Sequence, residues 1–170
     1  MEMSAGFFRW FHIMSGVMWI GLLYYFNFVQ VQAVAAANKD QAGSAAPITK
    51  YIAPRALFWF RWAALSTWVF GLALLGGNVV NAFTFQEGFV PIGIGSTLGT
   101  IMFLNVWLVI WQNQKKILNL GKYAKSPAAE DVKAKARIVA AFASRINVLL
   151  SVPMFFFMIA GSGAHTALFF

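Results

Sequence analysis

Residues 7–30 read FFRWFHIMSGVMWIGLLYYFNFVQ, an apolar stretch long enough to cross a membrane as a helix. A spanning helix needs about 20 mostly apolar residues. Three further stretches meet this requirement, and we predict spans at residues 7–31, 55–80, 91–111 and 138–160. Each run is continuous rather than alternating, which argues against a β-barrel. The predicted fold class is all-α, a polytopic four-helix membrane bundle that forms a single domain.

The composition agrees with a membrane protein and narrows the available chemistry. Hydrophobic residues make up 60% of the 170 residues and charged residues only 11%, whereas a typical soluble domain is about 25% charged. The chain has no cysteine, which excludes disulfides, Cys-ligated iron–sulfur clusters and covalently attached haem. The formal net charge is +8. Because the basic residues are concentrated in loops between apolar segments, we predict no binding to nucleic acid.

The positive charges predict how the bundle lies in the membrane. Of the 13 Lys and Arg residues, only Arg9 lies outside the loops at residues 32–54 and 112–137 and the helix ends that face them. These two loops lie on one side of a four-span bundle, and the positive-inside rule makes that side cytoplasmic. Both termini are therefore predicted on the periplasmic, outer side of a bacterial inner membrane. On the cytoplasmic side we expect contacts with membrane lipids and a surface helix at 127–137.

Polar side chains within the spans predict a cluster in the cytoplasmic half of the bundle. A guanidinium group that meets amide oxygens and backbone carbonyls avoids an unpaired charge in hydrocarbon. Two alternatives are open: both arginines extend to the interface while the asparagines join helices, or the cluster binds an anionic group such as a propionate, a carboxylate or a lipid headgroup. The spans contain no acidic residue, which argues against a carboxylate proton relay. The predicted members are Asn27, Arg61, Asn105, Arg145 and Asn147.

The two histidines predict a cofactor site at the opposite, outer end. His12, Gly16 and Trp19 fall on one stripe of the first helix, and His165 follows the fourth span. An imidazole with a glycine one turn away leaves space for a flat cofactor. Because both histidines lie on the same side, the geometry permits one haem b with His12 and His165 as axial ligands. The alternatives are that His12 hydrogen-bonds a backbone carbonyl and that His165 lies in a frayed tail.

Several segments together resemble a known family. They are residues 12–27, 55–62, 105–116, 144–147 and 151–154, which read HIMSGVMWIGLLYYFN, RALFWFRW, NVWLVIWQNQKK, SRIN and SVPM. The chain resembles the membrane domain at the N-terminus of bacterial urate hydroxylases, the "urate oxidase N-terminal" family, and in particular its stand-alone members. The resemblance covers nearly the whole chain. More distantly, the pattern His12-x6-Trp19-x-Gly21 is similar to small four-span haem-binding membrane proteins, in which a first-span histidine is a haem ligand.

The resemblance implies a membrane component of a redox system. Full urate hydroxylases carry a C-terminal cytochrome c domain, and this chain has no cysteine to attach such a haem. Electrons would therefore pass to a separate cytochrome. We predict a membrane subunit or small haem-binding protein of an electron-transfer assembly. The alternatives are a urate hydroxylase-like component and a non-catalytic assembly protein. The latter would form homo-oligomers or pack against a larger complex through small-residue faces such as Gly95-x3-Gly99.

Overall fold

Helices make up nearly all of the described chain, which comprises residues 2–40 and 44–161 of a computed structural model. This part of the protein contains no β-strand. Short π-helical segments at Tyr25–Gln30 and Asn105–Ile110 join successive helices, and a third at Ile48–Ile52 leads into α3. His165 lies outside the described residues. The α-helices are α1 (Glu2–Tyr24), α2 (Val31–Lys39), α3 (Ala53–Leu75), α4 (Val79–Phe83), α5 (Val90–Leu104), α6 (Trp111–Ile117) and α7 (Glu130–Ala160).

The helices combine into four long rods that are apolar enough to cross a membrane. They comprise Ala5–Lys39, Ile48–Phe83, Val90–Ala124 and Glu130–Ala160. Large apolar side chains on their outer faces are exposed, including Leu149 at 73% and Phe142 at 66%. An exposed apolar surface of this extent suits lipid rather than water. The prediction of an all-α protein with four membrane-length helices is confirmed.

All four rods extend beyond the predicted spans, and the first and the fourth show why. Helix α2 carries the first rod to Lys39, where the sequence predicted a loop from residue 32, because its alanine-rich sequence VQAVAAANK favours helix. Helix α7 runs without a break from Glu130 to Ala160. The segment at 127–137 is therefore mostly the first two turns of α7 rather than a separate surface helix. Glu130 and Asp131 lie in that first turn, where negative charge favours the helix N-terminus.

The rods pack as two hairpins, α1 against α3 and α5 against α7. Buried residues from all four rods fill the space between the hairpins, among them Leu23, Phe60, Met102 and Ala143. We call the end of the bundle that carries the start of α1, the connection at 84–89 and Gly161 the terminal end. The opposite end, where the rods end at Lys39 and Ala124 and begin at Ile48 and Glu130, is the basic end.

Glycines allow α5 to approach α4 and α7 closely at the terminal end. A Cβ at Gly93 would overlap the carbonyl oxygen of Ala82, and a Cβ at Gly161 would lie 2.6 Å from the backbone nitrogen of Ile92. A Cβ at Gly95 would lie 3.1 Å from Cγ of Met158. The Gly95-x3-Gly99 pattern therefore serves packing between α5 and α7 inside one chain, as small residues do at membrane helix contacts.

Candidate functional site

The imidazole of His12 is held against helix α3 by one hydrogen bond. Its Nδ1 lies 2.8 Å from the backbone carbonyl oxygen of Thr67. A carbonyl oxygen only accepts, so Nδ1 carries the proton and donates it. In the neutral ring Nε2 then holds the lone pair, and it has no hydrogen-bond partner among the described residues. The sequence alternative of a carbonyl partner for His12 is thus observed, and it leaves one ring nitrogen available.

The imidazole can reach this carbonyl because Gly71 lies beside it. A Cβ at Gly71 would lie 3.0 Å from Cε1 and 3.1 Å from Nδ1 of His12. Gly16 faces Thr67 in the same contact, and a Cβ at Gly16 would lie 3.7 Å from Cγ2 of Thr67. Neither Thr67 nor Gly71 was predicted from the sequence, although Thr67-x3-Gly71 is a small-x3-small pattern that marks close helix packing.

We expect Gly71→Ala to destabilise the protein by about 1–3 kcal/mol, because the added methyl group forces the imidazole out of its position. Gly21→Ala is the matched control, since a Cβ at Gly21 meets no atom within 4 Å. It should leave stability unchanged or raise it, because alanine favours helix over glycine. Thermal unfolding in detergent, followed by tryptophan fluorescence, measures both. Equal melting temperatures for the two variants would contradict the tight contact at Gly71.

His12 lies in the wall of a cavity of about 580 Å³ at the terminal end, which we call the terminal cavity. All four rods contribute to it, and most of its lining is apolar. Gly16 and Trp19, which the sequence predicted for the same site, also line it, so the structure brings these three residues together. Trp19 is buried, and its indole N–H has no hydrogen-bond partner among the described residues.

Few polar groups in the terminal cavity remain available to a ligand. Trp68 Nε1 donates to Thr100 Oγ1 at 3.1 Å, and Thr100 Oγ1 in turn donates to the carbonyl of Ser96 at 2.8 Å. The Trp68 N–H and the Thr100 hydroxyl therefore already have hydrogen-bond partners within the protein. His12 Nε2 and the guanidinium group of Arg9 make no hydrogen bond to the described residues. The cavity is therefore a largely apolar space whose lining carries the lone pair of His12 Nε2, the cation of Arg9 and the unpaired indole N–H of Trp19.

The polar residues predicted for the basic half separate into an amide network and isolated arginines. Asn105 donates to Asn147 Oδ1 at 2.8 Å and to the carbonyl of Ala143 at 2.9 Å. Asn147 donates to the carbonyl of Met102 at 3.1 Å, and Asn27 donates to Ser144 Oγ at 2.7 Å. Both Asn27 and Asn105 lie in π-helical segments. Such segments are rare in α-helices and are frequently found at functional sites.

Neither arginine joins this network. Arg145 is exposed on α7, since it lies about 200° around the helix from Asn147. Arg61 instead lies among aromatic rings, with its Cζ 3.8 Å from the ring centroid of Trp111 and 5.6 Å from that of Phe58. The expected contacts between guanidinium groups and amide oxygens are absent from the described residues. The asparagines join the third rod and the first rod to α7, and a hydrogen bond of 2.8 Å between Tyr24 Oη and Ser151 Oγ adds a second link between the first rod and α7.

Within residues 2–40 and 44–161, no three His, Asp or Glu side chains lie close enough to share a metal ion. A cofactor held through a single imidazole does not need such a group. No family model, curated protein or solved structure matches this chain. The geometry around His12 is therefore the main basis for a functional hypothesis.

Proposed function

We propose that this protein binds haem b in the terminal cavity, with His12 Nε2 as an axial ligand, and serves as a small membrane subunit of a redox assembly. The hydrogen bond from His12 Nδ1 to Thr67 carries the proposal. Histidines that bind metals almost always donate their other ring N–H to a carbonyl, carboxylate or water, which fixes the ring and raises its basicity. Bound haem would supply one-electron transfer at its iron.

The residues around the cavity fit a haem. A volume of about 580 Å³ and a largely apolar lining are typical of cofactor sites. Gly16 and Gly99 in the walls leave room for a flat ring. Arg9 offers a cation for a propionate group, as arginine commonly does for carboxylates. Met154 and Met158 of α7 line the same cavity and offer thioether sulfurs as a second axial ligand; His165 remains the other candidate.

The wider role follows from the resemblance and from the charge distribution. The resemblance to urate hydroxylase membrane domains favours electron transfer to a separate cytochrome, with urate as one candidate source of electrons. The concentration of basic residues favours a bacterial inner membrane with the basic end in the cytoplasm. The terminal cavity would then open near the periplasmic face, where a soluble cytochrome could approach. Self-association, or association with a larger complex, would be part of such an assembly.

An absorption spectrum of the purified protein tests the proposal. The protein is expressed with added haem precursor, extracted in detergent and measured oxidised and dithionite-reduced. We expect a Soret band that shifts on reduction and about one haem b per chain by pyridine haemochrome, given one cavity with one well-placed imidazole. A folded, colourless protein that also takes up no haemin on titration would contradict haem binding and favour the non-catalytic assembly role.

A further inference from the structure

We propose that Arg61 and Lys115 form a phosphate-binding site around Trp111 at the basic end, independent of the terminal cavity. Arg61 Cζ lies 3.8 Å from the centroid of the Trp111 ring, close enough for the guanidinium plane to stack on it. Lys115 Nζ lies 5.7 Å from the same centroid. Both cations therefore lie near one indole ring. An anion near both would be attracted by each of them and would offset their mutual repulsion.

The guanidinium group of Arg61 lacks the acceptors that its donors need. It forms no ion pair and no hydrogen bond with any described residue, and its Nε is buried without a partner. The rings of Trp62 and Trp107 lie 6.0 Å from its Cζ and complete an aromatic enclosure. Cation–π contacts stabilise the charge but occupy none of the five N–H donors. The enclosure thus orients a guanidinium group whose hydrogen-bonding capacity is unused.

The depth of Arg61 lets its long side chain reach toward the lipid headgroups. Arg61 lies 14 residues before Leu75, the last residue of α3, which corresponds to about 21 Å along a helix. In a hydrocarbon core about 30 Å thick that begins at Leu75, the backbone of Arg61 lies about 9 Å inside the basic-end boundary, and arginine side chains extend from such depths to the interface. Tryptophans concentrate at such boundaries. Trp59 and Trp62 lie within two residues of Arg61 along α3, and Trp111 of the third rod contacts its guanidinium group.

A phosphate group suits the two cations. A planar guanidinium binds two phosphate oxygens at once, and a lysine ammonium adds a compact charge that can donate to either of them. The neighbouring Lys116 donates a hydrogen bond to Asn113 Oδ1 at 3.4 Å, and its charge adds to the positive potential near Lys115. The phosphate could belong to an anionic phospholipid headgroup or to free inorganic phosphate, and the experiment has an arm for each.

Titration of the purified protein in a neutral maltoside detergent tests the site. The three ligands are short-chain phosphatidylglycerol, phosphatidylcholine with the same acyl chains, and inorganic phosphate. Tryptophan fluorescence and native mass spectrometry report binding. We expect phosphatidylglycerol to bind about tenfold more tightly than phosphatidylcholine, whose own ammonium offsets its phosphate, and Arg61→Gln to weaken it about tenfold. Arg145→Gln, with the same charge change on an exposed face of α7, should stay within about twofold.

Each outcome has a defined consequence. Saturable binding of inorganic phosphate that competes with phosphatidylglycerol and depends on Arg61 would support the site with free phosphate as its source. Binding of phosphatidylglycerol alone would support a lipid site. Equal affinities in the wild type and both Arg61→Gln and Lys115→Gln, or no binding by either ligand, would overturn the proposal. If Arg61→Gln does not fold, Lys115→Gln alone decides, because Lys115 lies in the last turn of α6, away from the core.

Discussion

Replacing His12 by alanine is expected to lower the haem content per chain by more than about tenfold. Loss of a partner that merely orients a metal ligand already costs 10- to 100-fold in metal affinity, so loss of the ligand itself should cost at least as much. The protein should remain folded, because the substitution removes one hydrogen bond, to Thr67, with a net contribution of about 0.5–1.5 kcal/mol. Soret absorbance per chain and the melting temperature measure the two effects separately.

Two further measurements separate ligation by His12 from a structural role. Imidazole added to His12→Ala should restore a Soret band, because a free ring can occupy the space that the side chain leaves. His12→Gln can keep the hydrogen bond to Thr67 through its amide group yet offers no imidazole nitrogen, so it should fold and remain colourless. Full haem content in His12→Gln would show that His12 is not an axial ligand.

His165→Ala tests which residue supplies the second ligand. If Met154 or Met158 does so, this variant should keep the wild-type spectrum, whereas alanine at the ligating methionine, Met154→Ala or Met158→Ala, should change the reduced spectrum. The opposite pattern would favour His165. Either result leaves the role of His12 intact, so this experiment distinguishes the second ligand from haem binding as such.

Apolar length was enough to predict the four rods, because a membrane span is defined by the apolar residues it contains rather than by its partners. The ends of the rods were harder to predict. Helix α2 continues the first rod through a segment of low hydropathy, where helix propensity rather than membrane insertion determines the structure. The same holds for the first two turns of α7, which are charged yet continuous with the apolar span.

The rotation of each rod about its axis could not be predicted from hydropathy. A membrane helix is apolar on the lipid side and on the protein side, so the periodic signal that orients a soluble helix is weak. The pairing of His12 with Thr67 and Gly71 depends on this rotation. Polar residues gave a partial guide: Asn105 and Asn147 meet as predicted members of a cluster. Arg61 finds aromatic rings instead, since four of them surround its position.

Substitution of Asn147 is expected to have the largest effect on the stability of the bundle. Asn147 is fully buried on α7, accepts a hydrogen bond from Asn105 and donates one to the carbonyl of Met102. We expect Asn147→Ala to destabilise the protein by about 2–4 kcal/mol, which combines two hydrogen bonds between helices with the cavity that the smaller side chain leaves. Tryptophan fluorescence during unfolding by sodium dodecyl sulfate measures this, and the seven tryptophans provide the signal.

Asn147→Leu separates the two contributions, because leucine has a similar volume but no polar group. It should destabilise the protein less than Asn147→Ala does if the cavity accounts for most of the lost stability. It should destabilise the protein about as much if the lost hydrogen bonds account for most of it. The double-mutant cycle with Asn105→Ala should give a coupling energy of about 0.6–1.7 kcal/mol, the range for hydrogen bonds between membrane helices. Asn113→Ala is the matched control, since Asn113 donates only to Val109 within its own rod. A loss of stability in Asn113→Ala equal to that in Asn147→Ala would contradict a special role for the network between α5 and α7.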